Sequence, residues 1–285
     1  MLQGSARPTE YLVPADVAEA TAMKAAGALV LAGGTDVYPA HVGRGFAEPV
    51  VDITGLEELR GVDVLDGAYR IGALTRWADV AAAALPACFD GFRAAAREIG
   101  AVQVQNAGTI GGNLCTASPA ADGIPNLLAL DASVELASPT GRRVLPVASF
   151  LTGYRSTTLA GDELLTAVIV PRDREDARSA FLKLGLRRYL VISVVMVAAV
   201  VTVDDAGLID EARVAVGACA PVAQRLPQLE DELRGTPIDA AAERVRPAHL
   251  GGLSPIDDVR ASADYRRHAA VTLVRRVLDA CAVSP

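Results

Sequence analysis

The segment Gly108-Thr-Ile-Gly-Gly-Asn-Leu-Cys-Thr-Ala-Ser-Pro-Ala-Ala-Asp122 constrains this chain more than any other. In a chain rich in alanine, valine and leucine, a run of glycines, small hydroxyls and one carboxylate is poor core material. It suits backbone that must come close to a ligand. A counterpart lies upstream, Leu31-Ala-Gly-Gly-Thr-Asp-Val37, just after the short apolar run Ala28 to Leu31. That order predicts a helix, a strand and then a turn facing outward. Glycine reaches positive φ without a Cβ clash, and successive bare amides form a concave anion site. Gly33-Gly34 alone is more often an ordinary turn. Two such segments on one chain predict a phosphorylated cofactor whose diphosphate is gripped from both sides.

Several common classes are excluded. There is no G-x-x-x-x-G-K-[ST] phosphate loop and no G-x-G-x-x-G opening a helix after the first strand, so neither a P-loop enzyme nor a Rossmann domain is supported. A formal net charge of −7 argues against a nucleic-acid surface, which needs clustered Lys and Arg. The longest largely apolar run, Leu190 to Val203, ends at Asp204-Asp205, short of the ~20 residues that span a bilayer. Its Val and Ile content predicts a buried β-strand. The N-terminus shows no basic region followed by an apolar stretch, so no secretion signal is read and a cytoplasmic location is expected. Cys88, Cys115, Cys219 and Cys281 form no C-x-x-C, which implies no zinc ribbon, self-contained iron–sulfur site or disulfide. Cys115 reads as a small packing residue. His41, His249 and His268 show no ligand spacing, and metal binding by this chain is not expected.

At 285 residues the chain exceeds what one compact core usually serves, so two domains are expected. Pro14 to Ala26 has helix punctuation, with proline near the start and Gly27 just past the end. Val50 to Ile53 and Tyr69 to Gly72 read as strands; Trp77 to Ala84 and Phe92 to Ile99 read as helices. Beyond the second glycine segment, Leu127 to Leu130 reads as a short helix, and Ser133 to Leu136 and Glu163 to Pro171 as strands. The polar run Arg172 to Arg178 marks the best boundary. Phe181 to Leu184, Leu190 to Val203 and Glu211 to Val216 then predict an antiparallel sheet, followed by helices from Asp239 and from Ala263 to the end.

In order along the chain, Ala32-Gly-Gly-Thr-Asp36, Thr109-Ile-Gly-Gly-Asn-Leu-Cys-Thr-Ala-Ser-Pro-Ala-Ala-Asp122, Phe150-Leu-Thr-Gly-Tyr-Arg155, Glu163-Leu-Leu165 leading to Pro171, and Ala263-Asp-Tyr-Arg-Arg267 stand where one known family has its motifs. The chain resembles the FAD-binding medium subunit of molybdenum-containing hydroxylases, such as xanthine dehydrogenase and aerobic carbon monoxide dehydrogenase. The resemblance covers nearly the whole chain. It implies an α+β fold: a two-part FAD-binding domain of the vanillyl-alcohol oxidase/p-cresol methylhydroxylase type over 1–175 (about 1–57 and 58–175), then a smaller α+β domain over 176–285 with an antiparallel sheet and helices. The inserted cysteine-rich loop of thioester-reducing relatives is not seen.

The resemblance also implies roles. Leu31, Ala32, Gly33, Gly34, Thr35, Asp36 and Val37 hold one side of a non-covalent FAD, and Thr109, Ile110, Gly111, Gly112 and Asn113 the other. Backbone amides, rather than salt bridges, meet the diphosphate. Thr116 and Ser118 lie near the diphosphate or ribityl chain. Asp122 accepts from cofactor hydroxyls, its bland alternative being a helix N-cap. Leu165 and Lys183 touch the flavin, where a cation raises its potential. Tyr154 and Tyr189 are stacking or packing residues, and Arg187-Arg188 a charged turn or contact. No residue is catalytic. Electrons arrive from two-iron iron–sulfur clusters of a small subunit, after a large molybdenum-cofactor subunit has oxidised the substrate, and leave to NAD, quinone or oxygen. A dimer of heterotrimers is implied. Two alternatives are a stand-alone flavoprotein oxidoreductase and a flavin-free scaffold. Thr35, where histidine-linked oxidases carry the histidine, disfavours covalent flavin, and the intact glycines disfavour the scaffold.

Overall fold

The computed structural model describes residues 10–188 and 190–283; Tyr189 lies outside the described residues. Three sheets of three or more strands follow one another along the chain, and a two-stranded sheet, Leu151–Gly153 with Ser156–Thr157, lies within the span of the second. The first is parallel, with Val50–Asp52 between Tyr11–Leu12 and Leu29–Leu31. Helix Val17–Ala25 precedes its edge strand, and the Asp16 side chain caps it by accepting from the Glu19 amide at 2.8 Å. The second has five strands in the spatial order Val62–Leu65, Ala68–Gly72, Leu164–Pro171, Ser133–Ser138, Gly141–Pro146. All of its pairings are antiparallel, with Val168 opposite Ile71 on one side and Val134 on the other.

The third sheet, Arg178–Leu184, Val195–Val203, Ile209–Gly217 and Gln224–Arg225, is antiparallel throughout. It lies between helix Ala263–Val283 on one face and helices Asp90–Glu98 and Gly123–Ala129 on the other. A sheet covered on both faces needs apolar residues at every position rather than at alternate ones. The strand Val195–Val203 obeys this and divides its side chains by parity. Met196, Ala198 and Val200 enter the core shared with Trp77, Phe92 and Leu127, while Val195, Val197, Ala199 and Val201 enter the core shared with Leu273, Val277 and Leu278.

Most expected elements are present within a few residues of their expected bounds, and three expectations are corrected. The strand expected from Leu190 begins at Val195. Leu190 has φ +53, outside the β region, and Leu190 and Ile192 are 53% and 62% exposed. The second glycine segment is not an open loop: Ile110–Thr116 is a helix. Thr109 caps it, its hydroxyl accepting from the Gly112 amide at 3.0 Å, and Ile110 and Leu114, four residues apart, are fully buried on one face. The helix expected from Asp239 is a 3-10 turn, Ile238–Ala240, followed by the short helix Ala241–Arg244.

Candidate functional site

One cavity of about 980 Å³ runs between the first sheet, the five-stranded sheet with its helices, and the edge of the third sheet. That is at the upper end of the roughly 300–1,000 Å³ usual for a small-molecule site. Ala32, Gly33, Gly34, Thr35, Asp36, Val37, Thr109, Gly111, Gly112, Asn113, Thr116, Ser118, Asp122, Leu165 and Lys183 all line it. Leu31 and Ile110 do not. Leu31, at the end of its strand, and Ile110, at the start of its helix, turn their side chains into the protein core.

The two glycine segments meet at the cavity but play unequal parts. The amides of Gly33, Gly34, Thr35 and Asp36 find no acceptor among the described residues. Gly34 has φ +68, the left-handed conformation that lets consecutive amides converge on an anion. In the second segment, the amides expected to grip from the opposite side are already engaged. The Ile110 amide donates to the Thr75 carbonyl (3.1 Å), Gly111 to the Ala73 carbonyl (2.9 Å) and Asn113 to the Thr109 carbonyl (3.0 Å), while Gly112 serves the Thr109 cap. Gly111 is small because a Cβ there would lie 2.8 Å from that of Ala73. Of this segment's polar side chains, Asn113, Thr116 and Ser118 line the cavity, and the Asn113 carboxamide oxygen is buried without a hydrogen-bond partner. A buried acceptor without a donor is costly, and a ligand hydroxyl would satisfy it.

Charge enters by routes the sequence did not indicate. Four cations, Lys24, Arg155, Lys183 and Arg187, line the cavity against two carboxylates, Asp36 and Asp122. Arg155, in a left-handed turn with φ +51, donates from its guanidinium to Asp36 at 2.6 Å. Lys24 reaches the Ala160 and Gly161 carbonyls at 3.1 and 2.8 Å, and burial holds its ammonium below the ordinary lysine range. Cys115 is an exposed residue lining the cavity rather than a packing residue of the core, and desolvation pushes its thiol up to about 11, so at neutral pH it stays protonated.

Asp122 stands at the head of helix Gly123–Ala129 without capping it. Its two oxygens take the Lys183 ammonium and the Ser193 hydroxyl, each at 2.5 Å. The Asp122 and Lys183 side chains are only 6% and 5% exposed, and the ammonium also donates to the Glu98 carbonyl at 3.3 Å. Burial raises the Asp122 carboxyl from its ordinary range, with Lys183 and Ser193 pulling against the rise. Lys183 is therefore neither solvated nor a lone cation. Tyr154 is 69% exposed and does not line the cavity; its neighbour Arg155 does. Arg188 lines a smaller adjoining cavity of about 340 Å³ together with Glu98 and Phe181. Among the described residues no helix is long and apolar enough to cross a membrane, and no group of three or more His, Cys, Asp or Glu could hold a metal ion.

Comparison with known proteins agrees with this geometry. Residues 7–173 match the FAD binding domain in molybdopterin dehydrogenase, and residues 180–281 match the CO dehydrogenase flavoprotein C-terminal domain. The chain is 34% identical over 261 residues to a xanthine dehydrogenase FAD-binding subunit of Escherichia coli, covering 88% of each chain. It is 36% identical over 217 residues to a nicotinate dehydrogenase FAD-subunit of Eubacterium barkeri, covering 73% of this chain and 72% of the other. Among solved structures, a chain of the carbon monoxide dehydrogenase of Hydrogenophaga pseudoflava superposes with a TM-score of 0.87 at 30% identity, over 96% of this chain and 97% of that one.

Proposed function

Because the chain belongs to the family of FAD-binding subunits of molybdopterin dehydrogenases, we propose that it is the electron-transfer subunit of a molybdenum hydroxylase complex. In this reading 1–175 forms the FAD-binding domain and 176–285 the C-terminal domain. Electrons come from two-iron iron–sulfur clusters of a small partner subunit, a large partner carries the molybdenum cofactor, and an external acceptor (NAD, quinone or oxygen) takes them up. The complex is a dimer of such heterotrimers in the cytoplasm.

The observation that carries the reading is the run of four unpartnered amides, Gly33 to Asp36, at a cavity with excess positive charge that Asn113, Thr116 and Ser118 also line. A diphosphate flanked by hydroxyls fits both the amides and those side chains. Bound FAD supplies the capacity to accept electrons singly and release them singly or as a pair. The residues do the rest. The Gly33–Asp36 amides hold the diphosphate, with Arg155 cancelling the Asp36 charge beside them and Lys24 and Arg187 adding attraction. Asn113, Thr109, Thr116 and Ser118 position hydroxyls. Asp122 has acceptor capacity left for the cofactor after Lys183 and Ser193 are served, and Leu165 and Lys183 wall the flavin end. Leu31 and Ile110 support the two segments from the core. Electrons reaching the flavin are balanced by protons from solvent, and no residue of this chain is assigned as a general acid or base.

Visible absorption of the purified chain, before and after denaturation and removal of the precipitate, tests this. Oxidised-flavin bands that pass into the supernatant are expected. A chain that stays colourless when FAD is added would refute the reading and leave a scaffold role.

A further inference from the structure

Asp122 is held in the cavity wall by a residue that does not itself line the cavity. Ser193 is fully buried, and its hydroxyl donates to Asp122. It sits in the irregular segment before strand Val195–Val203, on a stretch whose neighbours Leu190 and Ile192 are exposed, so the local chain does little to fix it. What fixes it comes from behind. The Arg260 guanidinium donates to the Ser193 carbonyl at 3.0 Å. The buried Arg266 guanidinium donates to the Val194 carbonyl at 2.6 Å and to the Ala218 carbonyl at 3.2 Å. Both guanidiniums are fastened to one carboxylate, Asp258, through Arg260 Nη2 at 2.5 Å and Arg266 Nη2 at 2.7 Å. Ala218, in the left-handed conformation at φ +61, donates in turn to the Pro119 carbonyl at 2.9 Å. The clamp therefore reaches both sides of Asp122: Ser193 directly, and the Ser118–Asp122 stretch through Ala218.

We propose that Arg260 is a positioning residue for the cofactor site, setting the Asp122 carboxylate and with it the Asp122–Lys183 pair by holding Ser193 in place from the C-terminal domain. Arg260 touches nothing in the cavity and acts wholly through Ser193. Its planar fork spans the Ser193 carbonyl and the Asp258 carboxylate at once, a geometry the ammonium of lysine does not reproduce. Asp258 and Arg266 keep the fork oriented. The inference rests on the FAD reading above, since it concerns the carboxylate assigned to the cofactor.

The test is an FAD titration of the full chain as wild type, R260A, S193A and the double variant, with the bound-flavin midpoint potential measured at saturating FAD. R260A removes the outer guanidinium and leaves the pair of half-buried Asp258 with buried Arg266 intact. R260A and S193A should each weaken FAD by about tenfold, and the double variant should be no weaker than S193A, because residues on one route are not additive. Both single variants should displace the midpoint potential in the same direction, which a loss of general stability would not do. An R260A protein that binds FAD as the wild type does, or an R260A effect that adds in full to that of S193A, overturns the proposal. Should R260A not fold, R260K carries the same comparison. A wild-type chain without FAD affinity defeats the functional reading itself, and the same titration reports this before any variant is compared.

Discussion

Replacing Gly33 with alanine isolates the closest backbone approach at the site. An added Cβ would lie 2.0 Å from the Ala107 carbonyl oxygen, 2.7 Å from its carbon and 3.0 Å from the Gly108 Cα. Those are main-chain atoms of a turn fixed by the Gly108 amide on Val104 (2.7 Å) and by Trp77 on the Gly108 carbonyl (3.2 Å), so no rotamer change relieves the clash. Ordinary contact begins at 3.4 Å, and the Gly33–Asp36 loop must therefore retreat by about 1.4 Å, the difference between the two distances. Overpacking of this kind costs about 1–3 kcal/mol. The loop makes few internal bonds to resist the shift, so the cost falls on ligand affinity more than on folding. At 1.4 kcal/mol per tenfold, FAD should bind roughly 5- to 150-fold more weakly. Titration followed by flavin fluorescence measures it, with G55A as control because a Cβ at Gly55 meets nothing within 4 Å. A G33A protein that binds FAD within a factor of about two of G55A, where a cost of even 1 kcal/mol predicts about fivefold, would refute the reasoning.

Two further outcomes follow from the ionic contacts. Asp122→Asn should lower stability to urea by about 3–5 kcal/mol, the usual cost of stranding one member of a buried pair, here the Lys183 ammonium; adding Lys183→Met should recover most of it, and a single variant that loses under about 1 kcal/mol would contradict the pairing. The hydrogen bond and charge of Arg260 hold the Asp258 carboxyl well below the ordinary aspartate range. Because its folded value is depressed, it contributes stability that is fully present above the unfolded aspartate value near ~4 and is lost as pH falls below that. Thermal unfolding from pH 6 down to pH 2.5 (about one and a half units below that value) should show this loss in the wild type and a flatter profile in D258N; parallel profiles would rule the linkage out.

The elements that local pattern could specify were legible, and those made by distant packing were not. The run Val195–Val203 reads as strand because both its faces are covered, so the Val-rich stretch needs no alternation. Helix Ile110–Thr116 was hidden by two glycines, which are poor helix formers. Its stability comes from Ile110 and Leu114 in the core and from Gly111 packing closely on Ala73, and none of these can be read from neighbours in sequence. Glycine density marked the cavity correctly but for mixed reasons: one segment offers free amides, while the other offers close packing. The ionic part of the site was the least legible. Arg155 meets Asp36 across 119 positions and Ser193 meets Asp122 across 71. Asp36, Asp122 and Lys183 were anticipated through the family resemblance, but their ionic partnerships, Asp36 with Arg155 and Asp122 with Lys183, were not.

These placements give the C-terminal domain more than a supporting part in the site. Lys183 stands on strand Arg178–Leu184, the edge of the third sheet, and the next strand sends Met196, Ala198 and Val200 into the same core as Trp77 and Leu127. One sheet thus supplies both the Lys183 cation of the cavity lining and apolar side chains of the core shared with the FAD-binding half. Any movement of that sheet relative to helix Gly123–Ala129 would shift Lys183 against Asp122, whose backbone belongs to the helix while its carboxylate is bound to the sheet side. The Asp122–Lys183 pair joins the two halves at the cavity, as Ser179–Ala87 and Arg225–Asp131 join them elsewhere. Burial on both sides makes a broken pair expensive, which links the electrostatics at the flavin end to how the two halves are packed.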